Sequence, residues 1–324
     1  MSTTSGTVVD PGVRRPAVAR TRAELLEARL GLDDGPVAVV MTMGALHEGH
    51  ATLIREARER ASYVVVTVFL NPLQFSAGED LSRYPRTLDS DLVICAREGV
   101  DLVFAPTPDV VYPEGEPGVR ISAGPLGDVL EGQARPGHFD GVLTVVGKLL
   151  HLTRADVALF GQKDAQQLLL IRRMALDLDF ATEVVAVPTV REPDGLALSS
   201  RNAYLAASDR EAALALSAAL RAGAEAAVEG PSAVRRSARS VLVAEPLVLV
   251  DYLVLVHPQT LQDVPEWYRG EALLAVAARV GTTRLIDNVA LRLGPEGGAL
   301  RASTAPASTA PATTAIASGA QGAR

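Results

Sequence analysis

Between residues 21 and 190, short apolar runs alternate with stretches whose apolar residues recur every three or four positions. The runs are Val37–Val40, Tyr63–Leu70, Asp101–Ala105, Val157–Phe160 and Glu183–Val187. Near-continuous hydrophobicity marks strands covered on both faces, as in a parallel sheet. Helical patterns fall between them at 21–31, 52–60, 88–98, 139–152 and 165–176. Thr21-Arg-Ala-Glu24 reads as a capping box and Gly31 as a stop; Thr87 stands where it could cap the third helix. The alternation predicts an α/β fold, a Rossmann-like doubly wound parallel sheet over 21–190. The Pro/Gly-rich stretch 106–118 reads as a loop.

Beyond about residue 190 the order changes. A turn-rich connection, Arg191-Glu-Pro-Asp-Gly195, leads to an Ala-rich helix ending near 228, which Ser208-Asp-Arg-Glu211 opens as a second capping box. A helix over 232–244 and strands at Leu247–Val256, Ala272–Val280 and Arg284–Ala290 follow. Helices followed by strands predict a smaller α+β C-terminal domain over 191–296. Residues 1–20 are rich in Thr, Ser, Gly and Pro, and 297–324 carry almost no bulky apolar side chain. Such segments bury too little surface to order themselves, so both are expected to be disordered. No internal repeat is visible.

Composition narrows the partners. The 324 residues are 48% hydrophobic and 21% charged, a globular balance with room for two domains. Net charge is −7 with no basic block, which argues against nucleic acid. Anionic substrates must then be held by local groups. The single cysteine, Cys95, excludes an internal disulfide and fits a reducing compartment; on an apolar helical face it reads as a packed thiol. No apolar run reaches ~18 residues, so no membrane span is expected. The paired Arg14 and Arg15 have no apolar stretch behind them and do not make a signal peptide.

An open parallel sheet binds ligands beyond the carboxyl ends of its strands. Four polar segments fall there: 41–50, 71–75, 161–167 and 188–202. Met41-Thr-Met-Gly-Ala-Leu-His-Glu-Gly-His50 joins strand to helix, where backbone N–H groups and the helix dipole can face a phosphate. His47 and His50, three apart, would share one face of the first turn. The zinc signature H-e-x-x-H needs a spacing of four, so a zinc protease is disfavoured. Lys163 suits a phosphate as a point charge, and Asp164 could hold a ribose hydroxyl, cap a helix or orient Lys163. Ser199, Ser200 and Arg201 offer hydroxyls and a guanidinium. Gln74 and Gln167 are neutral amides suited to a small polyhydroxy acid, whose carboxylate they would leave nucleophilic. Taken singly, each has a plain reading: a capped surface turn, a solvated Lys-Asp pair, a polar turn, surface amides. Gly141-Val-Leu-Thr-Val-Val-Gly-Lys148 misses the phosphate-loop spacing and reads as helix, and no G-x-G-x-x-G occurs.

Taken together, Met43-Gly-Ala-Leu-His-Glu-Gly-His50, Asn71-Pro-Leu-Gln-Phe75, Tyr84-Pro-Arg-Thr87, Gly161-Gln-Lys-Asp-Ala-Gln-Gln167 and Leu198-Ser-Ser-Arg-Asn202 resemble the pantothenate synthetase family, in order, from about 35 to 292. H-x-G-H alone marks the wider superfamily of nucleotidylyltransferases and class I synthetases. The resemblance implies that ATP and pantoate give pantoyl adenylate and pyrophosphate, and that β-alanine then displaces AMP to give pantothenate. It also implies Mg2+, a cytoplasmic homodimer and a flexible gate, for which 76–84 is the candidate. By motif, Met43, Gly44, Ala45, Leu46, His47, Glu48, Gly49 and His50 bind ATP, with His50 as proton donor. Gly161, Gln162, Lys163, Asp164, Leu198, Ser199, Ser200 and Arg201 also bind ATP, and Val190 touches the base. Gln74 contacts pantoate and β-alanine, and Gln167 contacts pantoate. Asp89 and Asp91 lie near the place expected of metal ligands, the metal being held otherwise by phosphates.

The chemistry agrees with that set. A carboxylate does not acylate an amine until it carries a leaving group, and charge then builds on the α-phosphate and the departing pyrophosphate. His47, His50, Lys163, Ser199, Ser200 and Arg201 are the donors available to meet it. Met41 stands where the family usually has Pro, and the tail beyond 297 is unmatched. Two other readings stay open on the residues alone: a nucleotidylyltransferase that stops at a nucleotide-linked product, and a non-catalytic nucleotide sensor.

Overall fold

A computed structural model describes residues 14–32, 34–75 and 80–300. In chain order the elements are β1 (Ala17–Ala19), α1 (Arg22–Leu30), β2 (Val37–Thr42), α2 (Glu48–Arg60), β3 (Tyr63–Val68), α3 (Leu88–Arg97) and β4 (Leu102–Phe104). Next come α4 (Pro108–Val111), α5 (Glu131–Ala134), α6 (His138–Thr153), β5 (Val157–Gly161), α7 (Ala165–Asp177) and β6 (Glu183–Val187). The chain continues through α8 (Ala207–Glu225), α9 (Pro231–Val243), β7 (Val248–Val256), β8 (Gly270–Val280), β9 (Thr283–Leu293) and β10 (Gly298–Ala299).

The first six strands form a parallel sheet in the order β1-β4-β3-β2-β5-β6. Alternate residues of β2 serve different cores. Val37 and Val39 pack with Leu25 of α1 and Phe139 and Val142 of α6; Ala38 and Val40 pack with Ile54 of α2 and Cys95 of α3. Both faces are therefore dry, which is why the strand sequences read as unbroken apolar runs. The order runs outward from β2 through β3 and β4, then returns to β5 on the other side. The switch point lies between β2 and β5, and a crevice opens beyond their carboxyl ends.

The second sheet is antiparallel, in the order β10-β9-β8-β7. On β8, Ala272, Leu274, Val276, Ala278 and Val280 pack under α8 and α9, while Leu273 and Ala275 face Leu130 and Ala165 of the first unit. Arg284 of β9 forks on to Glu131 of α5 at 2.6 and 2.9 Å, and Tyr252 donates to the same carboxylate at 2.8 Å. These contacts set one sheet against the other.

Several expectations change. Ala17–Ala19, placed in a disordered N-terminus, is an edge strand paired with Leu102–Phe104; three residues carry no readable period. Residues 1–13 lie outside the described residues, as do 301–324. Gly298–Ala299, assigned to the tail, pairs with β9. The loop 106–118 contains α4, held by the Arg22 guanidinium on the carbonyls of Val110 and Val111. Thr21 forms its capping box with Glu24, and Gly31 ends α1. Ser208 does not cap: α8 opens at Ala207 behind Ala206, two residues earlier than a Ser208 cap would place it, with no side-chain cap. Thr87 occupies its N-cap position without a capping bond. Of the gate candidate 76–84, residues 76–79 lie outside the described residues. Cys95 is buried in a core, and burial pushes its thiol up to about 12. Among the described residues no helix is long and apolar enough to cross a membrane.

Candidate active site

The turn after β2 needs an unusual backbone. Gly44 and Ala45 both have positive φ, at 88° and 52°, and the second costs roughly 1–2 kcal/mol for a residue with a Cβ. Thr42 Oγ1 accepts from Gly44 N at 3.1 Å. Asp91, 1% exposed on α3, accepts from Leu46 N at 2.8 Å and Ala45 N at 3.2 Å. The backbone N–H groups of 44–46, expected to cradle phosphate, are thus engaged within the protein. Gly44, Ala45 and Leu46 shape the turn rather than line the crevice.

His47 and His50 supply what the backbone does not. His47 is the N-cap of α2, its Nδ1 accepting from Gly49 N at 3.1 Å, and His50 Nδ1 accepts from His47 N at 3.3 Å. The ring centroids lie 4.2 Å apart. A ring nitrogen that accepts carries no proton, so each neutral ring holds its hydrogen on Nε2. Backbone N–H to Nδ1, then Nε2–H outward, extends the donor character of the helix start into the crevice. Burial lowers the pKa of both rings, and the Lys163 ammonium lowers them further; His50 is pushed down to about 3, burial first and then the neighbouring His47 and Lys163. His50 is therefore a neutral hydrogen-bond donor in the free protein, not a charged acid. An anionic ligand works the other way and raises both values. Glu48 points outward to Arg55 and Arg97.

Beyond β5, Gly161–Asp164 turns into α7. Asp164 occupies the N-cap position but makes no capping bond, so its carboxylate is not spent on the helix. Beyond β6, Leu198 N bonds Val190 O at 3.0 Å and Arg191 bridges Ala197, closing a small hairpin. Ser199 follows and caps the turn Ser200–Tyr204 by accepting from Arg201 N at 3.2 Å. Its hydroxyl proton is left to donate.

The orientation of Gln74 is fixed from behind. Tyr112 O–H donates to Asn71 Oδ1 at 2.9 Å, and Asn71 Nδ2 donates to Gln74 Oε1 at 3.1 Å. Gln74 is left with Nε2–H, which lies 3.1 Å from Met43 Sδ. Its backbone carbonyl accepts from His138 Nδ1 at 2.8 Å and Arg135 Nη2 at 3.2 Å. A Cβ at Gly141 would overlap the Leu73 carbonyl, so α6 can press on this turn only with glycine there. Sequence reasoning quoted Asn71 within a motif without giving it a role and did not single out Arg135 or His138; a histidine at a helix start after a glycine was the signal available. Gln166, next to Gln167, is structural: it bonds the carbonyls of Leu126 and Val129.

These segments converge. Met43, His47, Gly49, His50, Gln74, Gly161, Lys163, Asp164, Gln167, Val190, Leu198, Ser199, Ser200 and Arg201 line one chamber of about 260 Å3. Gly44, Ala45, Leu46, Glu48 and Gln162 do not. A second chamber of about 720 Å3 shares Arg135, His138, Lys163, Asp164, Gln167, Ser199 and Arg201 with it and extends towards the antiparallel sheet. Asp89 and Asp91 do not form a metal site. Two positions apart on α3 they face different ways, Asp89 exposed and Asp91 buried on the backbone of the turn. No cluster of three or more His, Cys, Asp or Glu fit to hold a metal occurs among the described residues. Asp164 is the carboxylate lining the smaller chamber, a donor set suited to a divalent ion carried in on phosphate oxygens.

A doubly wound sheet with paired imidazoles at its switch point and a lysine on the adjoining turn belongs to the H-x-G-H class of nucleotide-using α/β enzymes. The comparisons with known proteins narrow it. The family model described as pantoate-beta-alanine ligase matches residues 17–290. The chain is 57% identical to a pantothenate synthetase of Streptomyces avermitilis, over 84% of this chain and 97% of that one. It is equally identical to one from Thermobifida fusca, over 86% and 97%. A crystal structure of pantothenate synthetase from Thermus thermophilus superposes with TM-score 0.80 at 47% identity, over 84% and 98%. A Francisella tularensis pantoate-beta-alanine ligase, complexed with beta-gamma ATP and beta-alanine, does so with TM-score 0.70 at 33% identity, over 84% and 97%. The chain belongs to the pantoate–β-alanine ligase family.

Proposed function

We propose that the protein condenses pantoate with β-alanine at the expense of ATP, releasing AMP and pyrophosphate through a pantoyl-adenylate intermediate. The observation that carries this reading is the convergence of two imidazoles, Lys163, the Ser199–Arg201 segment and two neutral glutamines on one chamber, in a chain of this family. Gln74 and Gln167 hold the acid without neutralising it, so a carboxylate oxygen attacks the α-phosphorus of ATP. The bond to the bridging oxygen breaks and pyrophosphate leaves with its electrons. His47 and His50 Nε2–H, Lys163 and Arg201 meet the charge on the phosphoryl oxygens. The β-alanine amine then attacks the acyl carbon; AMP departs and the amine proton passes to solvent. Mg2+, held by Asp164 and the triphosphate, would supply charge neutralisation on the departing phosphates.

We read residues 17–190, β1 included, as the nucleotide and pantoate unit and 191–299, β10 included, as a smaller α+β unit, a division supported by their separate cores. A homodimer and a cytoplasmic setting fit the same reading. The test is isotope exchange: labelled pyrophosphate should enter ATP only when pantoate is present. Exchange without pantoate, or release of an adenylylated product with no demand for amine, would favour a nucleotidylyltransferase instead.

A further inference from the structure

The two cation-bearing segments of the chamber are far apart in the chain, yet consecutive residues of β9 hold one each. Asn288, 9% exposed, donates through Nδ2 to the carbonyls of Gln162 at 3.0 Å and Lys163 at 2.8 Å. Asp287, 3% exposed, receives the Arg191 guanidinium bidentately at 2.6 and 2.9 Å. Arg191 sits at the root of the hairpin from which Ser199, Ser200 and Arg201 emerge. Asp287 Oδ1 also accepts from Asn288 N at 2.8 Å, which ties the two braces together. Neither side chain lines the smaller chamber; both line the larger one.

We propose that Asp287 and Asn288 are positioning residues for the nucleotide: they set the distance between Lys163 and the Ser199–Arg201 segment so that both meet one triphosphate. The inference rests on the reading of the chamber as the ATP site. Bidentate ion pairs and paired amide donors fix direction as well as distance. The antiparallel sheet would therefore shape the nucleotide site from outside the smaller chamber. A displacement of about 1 Å in such a donor costs up to ~10²-fold in rate.

The probe is β,γ-methylene-ATP, titrated calorimetrically against the full chain, with pantoate-dependent pyrophosphate exchange alongside. Asn288→Ala should weaken the analogue ~10-fold and raise the KM for ATP while leaving the KM for pantoate near wild type. Asn288→Gln, which keeps the donor, should recover part of the loss. In a Lys163→Ala background, Asn288→Ala should cost under about twofold, because the group it positions is gone. Equal losses in both backgrounds, or a lowered Tm with wild-type analogue affinity, would overturn the proposal. Asp287→Asn keeps the shape and loses the charge, and carries the same affinity and KM readouts, with Arg201→Ala as its background, if Asn288→Ala does not fold. Wild-type protein that binds the analogue but shows no pantoate-dependent exchange would sink the functional reading and leave the brace standing.

Discussion

Asp91→Ala removes the acceptor on which the Gly44–Leu46 turn rests. The carboxylate takes Leu46 N at 2.8 Å and Ala45 N at 3.2 Å, and it is 1% exposed. Leu46 is buried, so its amide would lose its partner without gaining water, whereas Ala45 is half-buried and would recover part of its hydration. An unsatisfied buried donor costs ~1–3 kcal/mol. Counting one in full and one in part gives about 2–4 kcal/mol, and in a chain of this size ~3–6 °C in Tm. Ala45, held at φ 52° by that bond, would relax, and His47 would move with it. A shift near 1 Å predicts up to ~10²-fold loss in exchange rate. Asp91→Asn keeps one acceptor but turns an NH2 towards the other amide, so it should fall between Ala and wild type. Thermal unfolding and pyrophosphate exchange on the same preparations check both effects. If Asp91→Ala melts within about 2 °C of wild type and keeps half its activity, the turn does not depend on this carboxylate.

Three further outcomes follow from the site. His50→Ala should lower kcat for exchange by ~10²–10³, the usual loss for one preorganised donor; activity near wild type would remove it from the transition state. His50 binds its proton less readily folded than unfolded, so stability should be complete above its ordinary pKa of ~6.5 and decline as pH falls towards about 3. Urea unfolding across that window checks it, and His50→Asn, which keeps an acceptor for His47 N, should flatten the slope; an identical slope refutes the assignment. Gly141→Ala drives a Cβ into the Leu73 carbonyl, with ~1–3 kcal/mol of overpacking. It should raise the KM for pantoate more than that for ATP, and equal changes in the two would deny a local effect on Gln74.

Periodicity located the parallel strands because each buries both faces, as β2 does with alternate residues in two cores. It missed Ala17–Ala19, which owes its strand to a partner some eighty-five positions away, Leu102–Phe104. The same four-residue pattern capped a helix at Thr21 and failed at Ser208, where the chain becomes helical two residues sooner than such a cap implies. Local sequence does not say which residue closes a helix when tertiary contacts fix the entry. The site's first layer was legible as motifs at strand ends. Its supports were not: Asp91, Tyr112 and Asn288 act on residues 45, 41 and 125 positions away respectively. Only the fold brings those pairs together. The resemblance put Asp89 and Asp91 near the place of metal ligands, but two steps along a helix turn side chains to different sides.

Most helices are finished by short polar residues that touch only the chain's own amides. Here the finishing groups at α2 are imidazoles, and the same rings that complete the helix line the smaller chamber. A serine at 47 would close the first turn as well as histidine does, yet its hydroxyl would stop where the ring begins to reach. Architecture and reactivity are thus written into the same atoms, and any replacement that spares one must be judged separately on the other.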